Sequence, residues 1–254
     1  MIFDRKIWKE KFTKSNSPNW KCSTCDGSSL FLQKTTLQVA ETSASLGERK
    51  HPAWDPEWIE SRFIAIFQCN NPSCEDNYIV SGRGTVSENY YTDEFGQQEQ
   101  EWVEYYQPQY FYPSPQVITI PEECPERVRD CIAKAGSLFL GDASSAGNKI
   151  RSAVEELLND KDVDKERLIK SGKKKLLNLH ERIEKYGESR TDKVCDNLTA
   201  LKWIGNSGSH DDKLSVDDIL NAFEILESAL SDVYCPKKAN IDKLTQNINK
   251  HKGV

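Results

Sequence analysis

Cys22-Ser-Thr-Cys25 and Cys69-Asn-Asn-Pro-Ser-Cys74 are two short-spaced thiol pairs, roughly forty residues apart in the chain. Each spacing lets both sulfurs of a pair point to one side of a tight turn. Two such turns together can surround one Zn²⁺ with four thiolates, at about 2.3 Å each. The spacing is close to that of a zinc ribbon, in which each pair caps one end of a small β structure. Two disulfides, or four buried free thiols, are the alternatives. The sequence opens at Met1-Ile-Phe-Asp-Arg-Lys directly into charged residues, without the apolar run of a secretory signal, so a reducing, cytoplasmic setting is expected. A four-cysteine site has no open coordination position, so Cys22, Cys25, Cys69 and Cys74 are expected to build architecture and not to catalyse. The remaining cysteines, Cys124, Cys131, Cys195 and Cys235, are scattered and expected to be packed thiols.

Composition narrows the field further. With 254 residues and 37% hydrophobic content, the chain can form two modest cores. No apolar run approaches the roughly 18–20 residues that span a bilayer, so no membrane role is expected. The net charge of −6 is opposite to the basic surplus of a dedicated duplex-DNA binder. No glycine-rich phosphate loop, nucleophile elbow or carboxylate cluster is present.

The two halves differ in periodicity, and the fold class expected is α+β: a small zinc-ribbon-like β domain followed by an all-α bundle. Over residues 1–120, short β-branched and aromatic runs predict strands at Leu30 to Leu32, Thr35 to Val39, Phe63 to Phe67 and Tyr78 to Val80. Gly82-Arg83-Gly84 is expected to break the sheet, and Asp93 to Gly96 to form a turn. Residues 40–56 are expected to be a long insertion whose Trp54, with Trp58, packs back on the sheet. Glu99, Glu101 and Glu104 interleave the aromatic stretch from Trp102 to Tyr112, which opposes its use as a base-stacking platform. Over residues 121–236 the apolar spacing turns helical, predicting helices at 125–140, 146–158, 166–186, 192–204 and 216–234, the last capped by Ser215. Residues 237–254 are expected to be a fraying polar tail.

Three blocks of the second half carry a family resemblance: Gly147-Asn148-Lys149-Ile150-Arg151 to Leu158, Leu176 to Ile183, and Lys202-Trp203-Ile204-Gly205-Asn206-Ser207-Gly208-Ser209-His210. Residues 121–236 resemble the domain-of-unknown-function 4145 family, a helical fold like the HEPN (higher eukaryote and prokaryote nucleotide-binding) domains. The resemblance implies a bundle that pairs as a homodimer and a place in bacterial anti-phage defence or restriction-associated systems. Active HEPN ribonucleases use an Arg and a His a few residues apart. His shuttles a proton near neutral pH, and Arg stabilises charge on the phosphate.

In this sequence Asn206 and His210 match that motif, whereas Gly205 occupies the Arg position and Lys202 is the nearest upstream cation. On one continuous helix Lys202, Asn206 and His210 would share a face. They are the candidate catalytic residues if the protein is a metal-independent ribonuclease acting through His210. Otherwise Gly205, Ser207 and Gly208 permit close helix approach while Asn206 and His210 cap helix ends or hydrogen-bond across the bundle, or the motif contacts a ligand or RNA. Arg151 is either a salt-bridged helix-face residue beside Glu155 and Glu156 or a cation lining one groove with His210. Lys173, Lys174 and Lys175 are either a solvated helix face or a phosphate contact. The function expected is a non-catalytic, zinc-containing adaptor or recognition protein that binds a protein effector or RNA.

Overall fold

The computed structural model describes residues 4–25, 27–168, 172–188, 193–207 and 214–251, without the side chains of 207, 236–240, 242 and 243. The chain divides into two compact units, Met1–Gln116 with Gly136–Asp142, and Val117–Ala135 with Ala143–Val254. The protein is mixed α+β, with a curled antiparallel sheet toward the N-terminus and helices toward the C-terminus.

The sheet contains β1 (Leu30–Leu32), β2 (Gln38–Glu41), β3 (Glu60–Cys69), β4 (Asn77–Thr92) and β5 (Gln98–Tyr112). Its order is β1-β3-β4-β5, with β2 also on β3. β3 alternates strictly, burying Ser61, Phe63, Ala65, Phe67 and Cys69 while Arg62 and Ile64 face out, as period-two patterning requires. Phe12, Trp20 and Phe67 meet over this inner face, with Phe12 edge-on to Phe67 at 5.3 Å and Trp20 to Phe67 at 4.9 Å. The buried Trp20 indole donates to Ile7 O at 3.1 Å, so the ring is enclosed without a stranded donor. Phe139, expected within a helix of the second half, instead packs on Trp8 at 5.3 Å and belongs to the sheet unit.

Gly82 to Gly84 does not break the sheet. β4 runs straight through, and the irregularity is a bulge: Ser81 faces Tyr110 while Gly82 faces Pro108. A proline lacks the donor a regular ladder needs, and a bulge is where an edge strand such as β5 tolerates one. The insertion at 40–56 holds α1 (Ser43–Glu48), whose N-cap Thr42 accepts from Ser45 N. The Asp93 turn is as expected, its carboxylate accepting from Phe95 N and Gln97 N at 2.9 and 2.7 Å.

The C-terminal part holds α2 (Glu126–Leu138), α3 (Ala143–Asp160), the hairpin β6 (Glu166–Leu168) and β7 (Lys174–Leu176), α4 (Leu179–Gly187), α5 (Val194–Ser207), α6 (Val216–Tyr234) and α7 (Pro236–His251). The helix expected over 166–186 is thus a hairpin and a shorter helix. Gly172 adopts φ +73°, a backbone state that a helix cannot pass through. Asn178 and Glu181 then form a reciprocal capping box that starts α4 at Leu179. Leu168 and Leu176, apolar residues that one helix over 166–186 would bury, stand exposed on the hairpin. Through His251 the expected frayed tail is a helix: Pro236, which stops α6, occupies the first position of α7, where its missing N–H costs no hydrogen bond.

α3, α5 and α6 form the helical core around Ile150, Val154, Leu157, Leu198, Leu201, Phe223 and Leu226. α6 starts at a second capping box: Ser215 Oγ accepts from Asp218 N and Asp218 returns the bond to Ser215 N at 2.8 Å. The Ser215 hydroxyl bond holds the Asp218 carboxyl below its ordinary range. Its contribution is therefore present above the unfolded-state value and disappears as pH falls through the lowered one.

Gly205 sets the approach of α5 to α3. A Cβ there would lie 2.5 Å from Arg151 Cβ and 3.2 Å from Gly147 O. In an open helix, Gly→Ala would stabilise by about 1 kcal/mol. Here overpacking, typically about 1–3 kcal/mol, works against that gain. Gly205→Ala is expected to lower the unfolding midpoint in denaturant titration, and a raised midpoint would show that the helices can part at no cost.

Candidate metal centre and polar helix face

The first thiol pair sits in a loop closed by backbone bonds, Cys22 N to Ser28 O at 2.8 Å and Leu30 N to Trp20 O at 2.9 Å. That loop feeds β1, whose Leu30 pairs with Cys69 at the end of β3. The second pair spans the β3–β4 turn, built on Asn71. Its side chain accepts from Ser73 N at 3.0 Å, its carbonyl accepts from Cys74 N at 2.9 Å, and Cys69 N donates to Asp76 O at 2.9 Å. Asn70 N, donating to Ser29 O at 3.0 Å, ties one loop to the other. Strand register therefore brings together pairs far apart in sequence.

All four sulfurs lie within 4.8 Å of one another. Cys22 and Cys74 Sγ are 3.8 Å apart, and Cys25 and Cys69 Sγ 3.6 Å. Four metal–sulfur bonds of about 2.3 Å in a tetrahedron put the sulfurs about 3.8 Å apart, whereas a disulfide needs about 2.05 Å. The thiols are unpaired. The donor set and its spacing fit a tetrahedral metal ion.

The surroundings favour thiolates unequally. The Ser28 hydroxyl, ahead of neighbouring groups, lowers Cys25 to about 6, while burial pushes Cys69 up to about 12. Four thiols this close cannot all ionise beside one another unless a cation sits among them. Thr24 N and Asn71 N approach Cys22 and Cys69 Sγ at 3.4 and 3.5 Å, the amide-to-sulfur contacts that stabilise charge on a ligating sulfur. Tyr78, fully buried on β4, sets its hydroxyl 3.3 Å from Cys22 Sγ and accepts from Ser23 N at 2.8 Å. Burial raises the phenol, which keeps it a donor. Sequence inspection passed over Tyr78 as one aromatic among many, because only the register of β4 places it under the loop. Elsewhere, burial pushes Cys124 up to about 11 and raises Cys131, as packed thiols require.

In the helical unit, α5 remains helical through Gly205, so Lys202 and Asn206 lie one turn apart on it. Lys202 is not offered to a ligand. It is buried, with its ammonium 3.6 Å from the centre of the Trp203 ring. Asn206 accepts a hydrogen bond from Arg151 Nη1, and Arg151 Nε pairs with Glu155 at 3.3 Å. Arg151 is thus salt-bridged, and it also touches Asn206 of the polar motif. His210 lies outside the described residues.

Lys173, Lys174 and Lys175 lie at the second strand of the hairpin, not on a helix. Lys174 pairs with Glu166 at 2.9 Å, and Lys175 with Glu181 at 3.0 Å. Exposed pairs of this kind are screened by solvent and contribute little. Arg182, on α4 close by in the sequence, is buried. Its Nη2 donates to Asn159 Oδ1 at 2.9 Å and Val163 O at 3.0 Å, and burial lowers the guanidinium from its ordinary value. It lines, with Arg151 and Lys165, a groove of about 460 Å³ that also carries Glu155 and Glu156.

Fold and site together define a two-part α+β protein with a four-cysteine cluster at one end of its sheet. Residues 133–251 match the family model described as Domain of unknown function (DUF4145), and residues 10–111 that of Domain of unknown function (DUF8608). No curated protein and no solved structure matches the chain. The second match takes in both thiol pairs and nearly all of the sheet. Among the described residues no helix is long and apolar enough to cross a membrane.

Elemental analysis of the purified protein is expected to give about one metal ion per chain. Cys22→Ser or Cys69→Ser should lose the metal and unfold the sheet unit at lower temperature, because binding energy at such sites is folding energy. Metal-free, reduced protein with an unchanged melting curve would contradict the assignment.

Proposed function

We propose that this protein is a non-catalytic recognition or adaptor protein whose sheet is held by one structural Zn²⁺ on Cys22, Cys25, Cys69 and Cys74, and whose helical half is HEPN-like. The observation that carries this reading is where the motif's polar groups are spent. Lys202 is buried against Trp203, and Asn206 is occupied by Arg151 across the helix pair. A phosphate in flight needs a cation free to meet developing charge, and loss of one such donor costs about 10²–10³-fold in rate. A closed four-sulfur site offers a metal no vacant position for substrate.

A homodimer through the helical half fits this reading. Trp203 is exposed on α5, and Ile241, Leu244 and Ile248 form an exposed apolar stripe at helical spacing on α7. A self-complementary patch of this kind is the commonest route to a two-fold oligomer. A protein effector or RNA is the partner class, and the cytoplasm the compartment. The role in anti-phage defence or restriction rests on the family resemblance of the helical half.

One observation favours ribonuclease activity as the second reading. Arg151 on α3 brings to Asn206 the guanidinium that the motif lacks on α5. The two readings separate in one experiment: incubate the protein with structured RNA and tRNA beside Arg151→Ala and His210→Ala variants, after light scattering has established its oligomeric state. The adaptor reading expects a dimer and no cleavage above the variants. Cleavage that disappears in His210→Ala would overturn it.

A further inference from the structure

The hairpin of β4 and β5 carries an unusual charge pattern. No lysine or arginine stands between Arg83 and Arg127, while Glu88, Asp93, Glu94, Glu99, Glu101 and Glu104 all fall on or near its distal arms. Beside these arms lies a groove of about 650 Å³ whose apolar walls include Trp54, Pro56, Ile59 and Trp102, and whose charged lining is Glu101, Glu104 and one cation, Lys14. Trp102 is exposed, and the Trp54 indole N–H is buried with no hydrogen-bond partner. A buried donor without an acceptor is costly, and an occupant bringing a carbonyl oxygen would relieve it. Arg49 already rests on the Trp54 ring, 5.4 Å from its centre, so the ring binds cations within the protein itself.

The backbone beside this groove is equally open. β5 is the terminal strand of the sheet, and its outer edge is met at Tyr106 by a bridge from Phe12. Among the described residues no strand pairs with that edge from Gln98 to Tyr105. An unpaired edge next to a pocket accepts an extended chain as an added strand, with alternate side chains entering the pocket.

We propose that the β5 edge and the Trp54–Trp102 groove dock an extended, lysine- or arginine-rich segment of a partner protein. The segment adds alongside residues 98–104 and seats one cationic side chain in the groove. Glu104, which shares the Trp102 face of β5, and the tryptophan faces receive the cation, and a segment carbonyl accepts from Trp54 Nε1. Glu104 also accepts from the Tyr106 hydroxyl at 2.7 Å, and Glu101, on the opposite face of β5, accepts from Asn89 Nδ2 at 3.1 Å and adds only to the negative field. Nucleic acid is the wrong occupant, because the same carboxylates repel phosphate. The inference rests on the recognition reading above and supplies its partner class.

The test uses the full, metal-loaded chain and three probes: a capped peptide alternating lysine and threonine, its glutamate counterpart, and oligothymidylate. Tryptophan fluorescence and calorimetry should detect the lysine peptide alone. Affinity should weaken as salt rises and fall about tenfold or more in Trp102→Ala and in Glu104→Lys. Hydrogen exchange should slow at residues 98–104. Because Trp102 and Glu104 are exposed, an unchanged melting curve is expected to show that both variants fold. Absence of lysine-peptide binding, equal binding by the variants, preference for oligothymidylate, or protection confined elsewhere would overturn the proposal. None of these results bears on RNA cleavage, so failure here is distinct from failure of the adaptor reading.

Discussion

Four sulfurs held within 4.8 Å of one another, contributed by loops 44 to 52 residues apart, are the constraint on which the sheet unit depends. Closing loops of that length costs chain entropy, and the unit must recover it from a small aromatic core and a few strands. A metal ion on the thiols would close both loops with one set of bonds, and its binding energy would appear as stability. The geometry is prepared for that from several directions. Leu30 pairs with Cys69 in the ladder, Asn71 shapes the second turn, and amide protons point at Cys22 and Cys69. Tyr78 locks the first loop from below, since its hydroxyl meets both Cys22 Sγ and Ser23 N. Anchored at that end, β4 and β5 can continue as a long hairpin whose distal arms have little core of their own.

The helical unit solves a different problem. A Gly-Asn motif that resembles part of a ribonuclease signature serves first as a packing joint. Gly205 removes the side chain that would strike Arg151, and Asn206 then receives the Arg151 guanidinium across the gap. One polar bond between close helices costs little if both partners are satisfied, and it fixes their rotation about each other. Lys202, one turn earlier, is folded onto Trp203 instead of projecting toward the motif.

What the sequence disclosed follows from how local each signal is. The cysteine pairs were legible because metal-ligand spacing is a local code. α6 matched to the residue because Ser215 and Asp218 write its start, and Cys235-Pro236 its end. The hairpin at β6 and β7 was missed because Leu168 and Leu176 mimic helical spacing, while the decisive features were a positive-φ turn at Gly172 and the Asn178 cap. Gly82 and Gly84 looked like breakers, yet in a wide sheet they let a partner strand and side chains come close. The burial of Lys202 and Arg182, the Tyr78 contact and the groove at Trp54 all depend on tertiary register, which no window of residues contains.

The central claim is that the four thiolates hold one zinc ion, and X-ray absorption at the metal edge tests it most directly. The account predicts a single shell of four sulfur scatterers at about 2.3 Å, with no nitrogen or oxygen neighbour. A mixed sulfur and oxygen shell, or a sulfur–sulfur distance of about 2.05 Å marking a disulfide, would contradict it.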